Sequence, residues 1–168
     1  MELLHDNQVD IAFITETWMS DESNTITFAI REAGYEIEHA YRSKRGGGVA
    51  ILWKKQHNVK FNFKRKCYDT FQYTNIVLEG TVKMNLICLY RFQEMPVSQF
   101  MDDLNELLSH HISKSDTIIL AGDFNFHFEN SELKDVIDLT HLTSSMGLSQ
   151  FVVGPSHKLG HTLDLVFT

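Results

Sequence analysis

Thr117-Ile118-Ile119-Leu120-Ala121-Gly122-Asp123-Phe124-Asn125 is the stretch that decides the fold and points to the chemistry. Thr117 to Ala121 is a run of β-type, largely branched residues and reads as a short buried strand. Gly122 breaks the run, and Asp123 and Asn125 follow with one apolar residue between them. In an extended backbone, positions i and i+2 share a face. That predicts Asp123 and Asn125 projecting together from a strand end, with Phe124 turned back into the core. A carboxylate can take a proton or hold a cation, and an amide can donate to an anionic oxygen. The same residues also read as a strand entering an Asx-type turn with no chemistry attached.

Outward from this stretch, strands and helices interleave. Val9–Thr15 reads as a buried strand, and Asp21–Ala33 as a helix with Asp21 or Ser23 as N-cap and Gly34 as its stop. Tyr35–Tyr41 and Gly48–Trp53 read as strands around an Arg45-Gly46-Gly47-Gly48 turn. Further strands are expected at Val59–Phe63, Tyr73–Leu78, Met84–Tyr90 and Leu163–Phe167. Val97–Ile112 carries Phe100, Leu104, Leu107, Leu108 and Ile112 at helical spacing, and Glu132–Met146 reads as a helix ended by Gly147. Many strands with a few helices imply a layered α/β architecture.

The 168 residues suit one domain with a sizeable core. No apolar run is long enough for a membrane span, and the first residues do not resemble a signal peptide, so an intracellular protein, nuclear or cytoplasmic and off the membrane, is expected. Cys67 and Cys88 lack metal-type spacing and read as buried free thiols in strands. A net charge of −7 argues against coating nucleic acid by bulk attraction. It is compatible with carboxylates gathered at a cation that grips phosphate locally.

Several strand ends carry polar chemistry. Glu16 closes the first strand, where α/β sheets present ligands, although a solvated strand-end charge reads the same way. Tyr90-Arg91 closes another and offers a phenol and a guanidinium to phosphate, or else a strand-end tyrosine with a surface arginine. Asp164 lies inside the apolar run Thr162–Phe167, where a buried carboxylate needs a partner, structural or functional. Such a convergence suits a divalent metal site acting on a phosphodiester.

The blocks Val9-Asp10-Ile11-Ala12-Phe13-Ile14-Thr15-Glu16-Thr17-Trp18, Arg45-Gly46-Gly47-Gly48-Val49-Ala50-Ile51, Leu89-Tyr90-Arg91, Gly122-Asp123-Phe124-Asn125 and Gly160-His161-Thr162-Leu163-Asp164-Leu165-Val166-Phe167 occur in this order across nearly the whole chain. In them the sequence resembles the endonuclease/exonuclease/phosphatase superfamily, above all the apurinic-type endonuclease domain of non-LTR (LINE-like) retrotransposons. The resemblance implies a deoxyribonuclease-like four-layer α/β sandwich, two packed β-sheets flanked by helices. It implies Mg²⁺-dependent phosphodiester hydrolysis, with Mn²⁺ as a substitute, and DNA as the partner. By resemblance Glu16 is the metal-binding carboxylate and Tyr90 a phosphate contact. Asp123 helps activate water, Asn125 holds the scissile phosphate, and Asp164 orients a catalytic histidine. Ser156 matches a hydroxyl near the phosphate.

The chain also departs from the family. Family members carry an Asn-bearing strand ahead of the segment that starts here at Met1, and a Ser-Asp-His segment beyond Thr168. His157 and His161 precede the last strand and do not replace that histidine. Phe92-Gln93 follows Tyr90-Arg91 where prolines are common. The expectation is a single domain over residues 1–168, incomplete at both ends and impaired in DNA nicking; a catalytically inactive remnant that binds a partner is the alternative. A sugar-phosphate or phosphoinositide phosphatase is a third reading.

Other patterns carry less. No Gly-Lys-Ser/Thr follows the triple glycine, so a hairpin turn is favoured over a phosphate cradle. Lys54, Lys55, Lys60, Lys64, Arg65 and Lys66 could track a DNA backbone but also read as a solvated strand face. Of nine histidines only His110-His111 are adjacent, and adjacent imidazoles do not converge, which argues against zinc.

Overall fold

The structure is a computed structural model and describes residues 2–20, 24–41, 47–60, 66–114 and 116–168. In chain order the elements are α1 (Glu2–Asp6), β1 (Ile11–Thr15), α2 (Asn24–Glu32), β2 (Tyr35–Ala40), β3 (Val49–Lys54), β4 (Val59–Lys60), β5 (Phe71–Leu78), β6 (Met84–Arg91), α3 (Val97–Ile112), β7 (Thr117–Asp123), α4 (Lys134–Ser145) and β8 (Asp164–Phe167). They form a three-stranded antiparallel sheet, β1-β3-β2, and a five-stranded sheet, β4-β5-β6-β7-β8. Among the described residues only β6 and β7 run parallel, and α3 makes the crossover between them.

Alternation along two strands explains the layers. In β3, Val49, Ile51 and Trp53 face the second sheet, whereas Ala50 and Leu52 face α1 and α2 through Leu4 and Ile30. In β6, Leu86 and Cys88 enter that same inter-sheet core, whereas Ile87 and Leu89 pack toward α3 and α4. Strands covered on both faces read as unbroken apolar runs, as these two do. The result is helices, sheet, sheet, helices: the layered sandwich expected from the sequence. On α3, Phe100, Leu104, Leu107 and Leu108 are fully buried, each worth on the order of 2 kcal/mol.

Most elements fall where the sequence places them, and α3 matches its expected span. Val9–Thr15 does not become a buried strand: among the described residues β1 is an edge strand paired only with β3, and none of its residues is fully buried. The fourth helix begins at Lys134 rather than Glu132, because Asn130 Oδ1 takes the Glu132 N–H and holds that segment as a turn. Cys88 is buried as expected, but Cys67 is exposed in the approach to β5, outside any strand; both thiols are free. The proposed caps Asp21 and Ser23, the turn residues Arg45 and Gly46, and the strand end 61–63 lie outside the described residues.

A buried polar relay crosses from sheet to helix. Asn75 Nδ2 donates to Asn85 Oδ1 (3.3 Å), and Asn85 Nδ2 stands 2.6 Å from His111 Nδ1. Burial, and then the neighbouring charges of His110 and Lys114, hold the His111 imidazole down at about 4. An unfolded imidazole titrates near 6.5, so between these values the unfolded chain holds the extra proton. The contribution of His111 is therefore complete above about pH 6.5 and is lost as pH falls toward 4. Urea unfolding of wild type and His111→Gln should show the wild-type advantage shrinking by about 2 kcal/mol between pH 7 and 4.5. A difference that stays constant with pH would show that His111 is not held neutral.

Candidate active site

One register line runs across four strands of the larger sheet. Gln72 of β5 pairs with Tyr90 of β6, Tyr90 with Asp123 of β7, and Asp123 with Asp164 of β8. Paired residues share a face, so these polar side chains stand in a row on one side of the sheet. Two residues along on that face, the next row is Thr74, Cys88, Ala121 and Val166. Cys88 belongs to the core between the sheets, so the polar row marks where that core stops and a cleft begins.

Glu16 reaches the row from the other sheet. β1 ends at Thr15, and Glu16 turns out of the strand with φ 52°. The Gly47 N–H donates to Glu16 Oε2 (2.9 Å), and the Gly48 N–H donates to Gln72 Oε1 (2.8 Å). Successive backbone donors thus tie the Glu16 carboxylate of one sheet to the polar row of the other. Gly48 has φ 93°, and a Cβ there would lie 2.3 Å from Thr17 Oγ1, so the segment has to be glycine. Left-handed backbone collects here: among the described residues, Glu16, Trp18 and Asn125 are three of the four non-glycine residues with positive φ. Such conformations cost about 1–3 kcal/mol each and cluster where side chains must be aimed.

Carboxylates share this space. Burial pushes the Asp123 carboxyl up to about 6, and the negative charges of Asp164 and Glu16 add to the rise. The Asn125 N–H, 2.9 Å from Asp123 Oδ1, and the Arg91 charge work against it. The Tyr90 phenol is raised well above its ordinary range by burial, by its hydrogen bond to Glu16, and by the charges of Glu16, Asp123 and Glu94. Its hydroxyl therefore remains a donor at any physiological pH.

Glu16, Tyr90, Asp123 and Asp164 come together as the sequence suggests, but four side chains sit differently from expectation. Asn125 does not continue the strand: its N–H folds back on Asp123 as an Asx turn, its Nδ2 donates to Arg91 O (2.8 Å), and its Oδ1 accepts from Gln93 Nε2 (2.6 Å). Phe124 alone follows the alternation, into the core. Arg91 is 4% exposed, because alternation after Tyr90 turns it to the helical side of the sheet. Its guanidinium lies over Phe126 (4.3 Å) and Phe100 (5.4 Å) and donates to Asn125 O and Met95 O; this is a structural cation rather than a phosphate contact. Asp164 is exposed rather than buried, since it opens an edge strand at the rim. Ser156 Oγ accepts the N–H groups of Leu163 and Asp164 (3.0 and 2.9 Å), so it fixes the backbone of Asp164.

Gln72 and Trp18 belong to this cleft and were not singled out from sequence. Gln72 shows itself only through its register with Tyr90. Trp18 is 63% exposed, its N–H donating to Gly47 O (3.0 Å) beside Glu16. The described lysines of the basic group are occupied: Lys54 with Asp10, Lys60 with Glu79, Lys66 with Glu106 and Lys55 with Arg31 O. That favours the solvated strand face; Lys64 and Arg65 lie outside the described residues.

The profile of the Endonuclease/Exonuclease/phosphatase family matches residues 1–168. No curated protein matches the sequence. Among solved structures, the endonuclease domain of TRAS1, a telomere-specific non-LTR retrotransposon, is similar at 13% identity and TM-score 0.73, over 98% of this chain and 74% of that one. A 3'-5' exonuclease from Neisseria meningitidis is similar at 16% identity and TM-score 0.67, over 99% of this chain and 78% of its own. An AP endonuclease from Archaeoglobus fulgidus is similar at 15% identity and TM-score 0.66, over 98% and 78%. At these identities the structural likenesses establish a shared fold.

The crowding at Asp123 has a measurable sign. Its folded-state value lies above the unfolded one of about 3.9, so its favourable contribution is complete below that value and is lost as pH rises through about 6. Asp123→Asn keeps an acceptor for the Asn125 N–H and removes the charge. In metal-free buffer it should stabilise the fold by about 1 kcal/mol at pH 7.5, solvent screening allowed for, and by nothing near pH 4. Thermal unfolding at both pH values checks this; an unchanged or lowered midpoint at pH 7.5 would contradict the crowding.

Proposed function

The chain belongs to the endonuclease/exonuclease/phosphatase family, and on that footing we propose that it hydrolyses phosphodiesters, with DNA nicked in one strand as its substrate. The observation that carries this is the row Gln72, Tyr90, Asp123 and Asp164 with Glu16 brought against it from the other sheet. Carboxylates whose charges act on a common neighbour, Asp123, fit a hard divalent cation, Mg²⁺ or Mn²⁺, with Glu16 as its carboxylate. Such an ion, when bound, offsets charge on the phosphate oxygens and lowers the barrier to attack at phosphorus.

The chain's own groups divide the remaining work. With a value of about 6, Asp123 can accept a proton from an attacking water near neutral pH. Tyr90, protonated throughout, has its one hydroxyl hydrogen on Glu16, and donates to a non-bridging phosphate oxygen only by exchanging that bond. Asn125 has one Nδ2 hydrogen committed to Arg91 O and a second to offer the phosphate. Asp164, exposed at the end of the row, would orient an imidazole, and Ser156 holds its backbone. Trp18 presents an aromatic face on which a base can stack.

A second reading has one observation in its favour. Arg91 is buried with Nη1 and Nη2 on backbone carbonyls, and one Nδ2 hydrogen of Asn125 is committed inside the protein, as in a module that binds nucleic acid without cutting it. Relaxation of supercoiled plasmid separates the two. In Mg²⁺ the chain should nick slowly, and Glu16→Gln or Asp123→Ala should each reduce the rate by about 10²-fold or more. Plasmid binding with no nicking in either Mg²⁺ or Mn²⁺ would establish the binding module. Nicking that survives Asp123→Ala would remove this row from the chemistry.

A further inference from the structure

Beyond the carboxylate row, a second polar group stands on the loops that leave β7 and enter β8. Glu129 Oε1 lies 3.1 Å from His127 Nδ1 and 2.8 Å from His161 Nδ1, and the two imidazole nitrogens are 3.1 Å apart. The rings meet edge to face, centroids 4.2 Å apart and planes at 90°. We propose that His127, Glu129 and His161 form a separate transition-metal site of the zinc type, distinct from the carboxylate cleft.

Three features of the geometry carry this. The first is the triangle itself. Ligand bonds of 2.0–2.1 Å arranged tetrahedrally place donor atoms about 3.3 Å apart, and the observed edges of 2.8–3.1 Å are one small relaxation from that face. The second is that hydrogen bonding alone does not satisfy the group. If both Nδ1 atoms are protonated they donate to Glu129 Oε1 but confront each other at 3.1 Å. If one is bare, its lone pair faces the carboxylate oxygen. A single cation at the centre satisfies all three donors at once. The third is outer support: Glu129 Oε2 accepts the N–H of buried Thr162 (2.9 Å), whose Oγ1 donates to Gly154 O (2.9 Å). The Phe128 N–H donates to Thr162 O (3.2 Å), joining the two ligand-bearing segments through backbone as well. Such partners orient metal ligands.

The donor set chooses the ion. Two imidazoles and one carboxylate suit a borderline ion such as Zn²⁺, and Mg²⁺ prefers oxygen alone. The three side chains are between about a third and just over half exposed, so an ion can enter and keep a water in its fourth position. His157 stacks on His161 with planes 13° apart, and its Nδ1 accepts the Leu159 N–H (3.3 Å), so that nitrogen stays outside the site. An ion here would tie the segment just after Asn125 to the segment just before Asp164, firming one wall of the cleft.

Co²⁺ is the probe, because tetrahedral nitrogen and oxygen ligation gives it a strong visible band. Titration in excess Mg²⁺ should reach one Co²⁺ per chain and be reversed by one equivalent of Zn²⁺. His161→Ala and Glu129→Gln should weaken binding at least tenfold, and Glu16→Gln should leave it unchanged. In the unaltered protein, Zn²⁺ should shift the imidazole proton resonances of His127 and His161 and leave those of His5, a test that does not depend on a variant folding. Absence of the band, binding untouched by His161→Ala, binding lost in Glu16→Gln, or imidazole shifts confined to other histidines would each overturn the assignment.

Discussion

β7 approaches β6 so closely at Gly122 that no side chain fits between them. A Cβ at this position would lie 1.9 Å from the Leu89 carbonyl oxygen, and φ is 145°. This contact fixes the parallel pair β6–β7 at the point where both strands end, and so decides that Tyr90 stands beside Asp123. β8 then pairs on the far side of β7 and sets Asp164 in the same row. Any larger residue at 122 would separate the strands at the rim, where the row needs them together. The candidate site is thus a property of sheet register before it is a property of side chains.

That register works against the stability of the fold. Glu16 and Asp164 both repel the Asp123 charge, and Glu16, Trp18 and Asn125 hold left-handed backbone that L-residues disfavour. The surrounding layers supply the compensation. Phe124 is sealed among Phe100, Phe167 and the helices, and Arg91 spans from Phe126 to the Asn125 carbonyl directly behind the row. A cation buried on aromatic rings beneath a cluster of anions also lowers the repulsion from the rear. Locally unfavourable geometry held by an over-determined core is the usual condition of a working site.

Which parts of this were legible in the chain follows from the range of each signal. Val97–Ile112 was readable to the residue because four buried side chains recur at helical spacing between Pro96 and a polar turn. Glu16, Tyr90 and Asp123 were readable because each ends an apolar run. Arg91 misled because a strand-end arginine looks the same in sequence whichever face it takes; only alternation from Tyr90 settles it. Asp164 misled because an apolar run around a carboxylate implies burial, whereas β8 is an edge strand and its first residue meets solvent. Asn125 took the Asx turn, the alternative that the same stretch of sequence offered, and so left the strand alternation. His127 and His161 were opaque: they meet across separate loops, and no local spacing encodes that encounter.

Cys88 lies one row beneath Tyr90 and Asp123, its Sγ–H directed at the Ile14 carbonyl of the facing sheet (3.6 Å), and burial pushes its thiol up to about 12. No reagent can reach this sulfur while the sheets are closed, and even a solvated visit requires deprotonation. Cys67, by contrast, is open to solvent at all times. The two thiols therefore label the chain at two depths with identical chemistry. The lag between their alkylation times the parting of the two sheets, so the breathing of the sandwich directly beneath the polar row can be clocked in the unmodified protein.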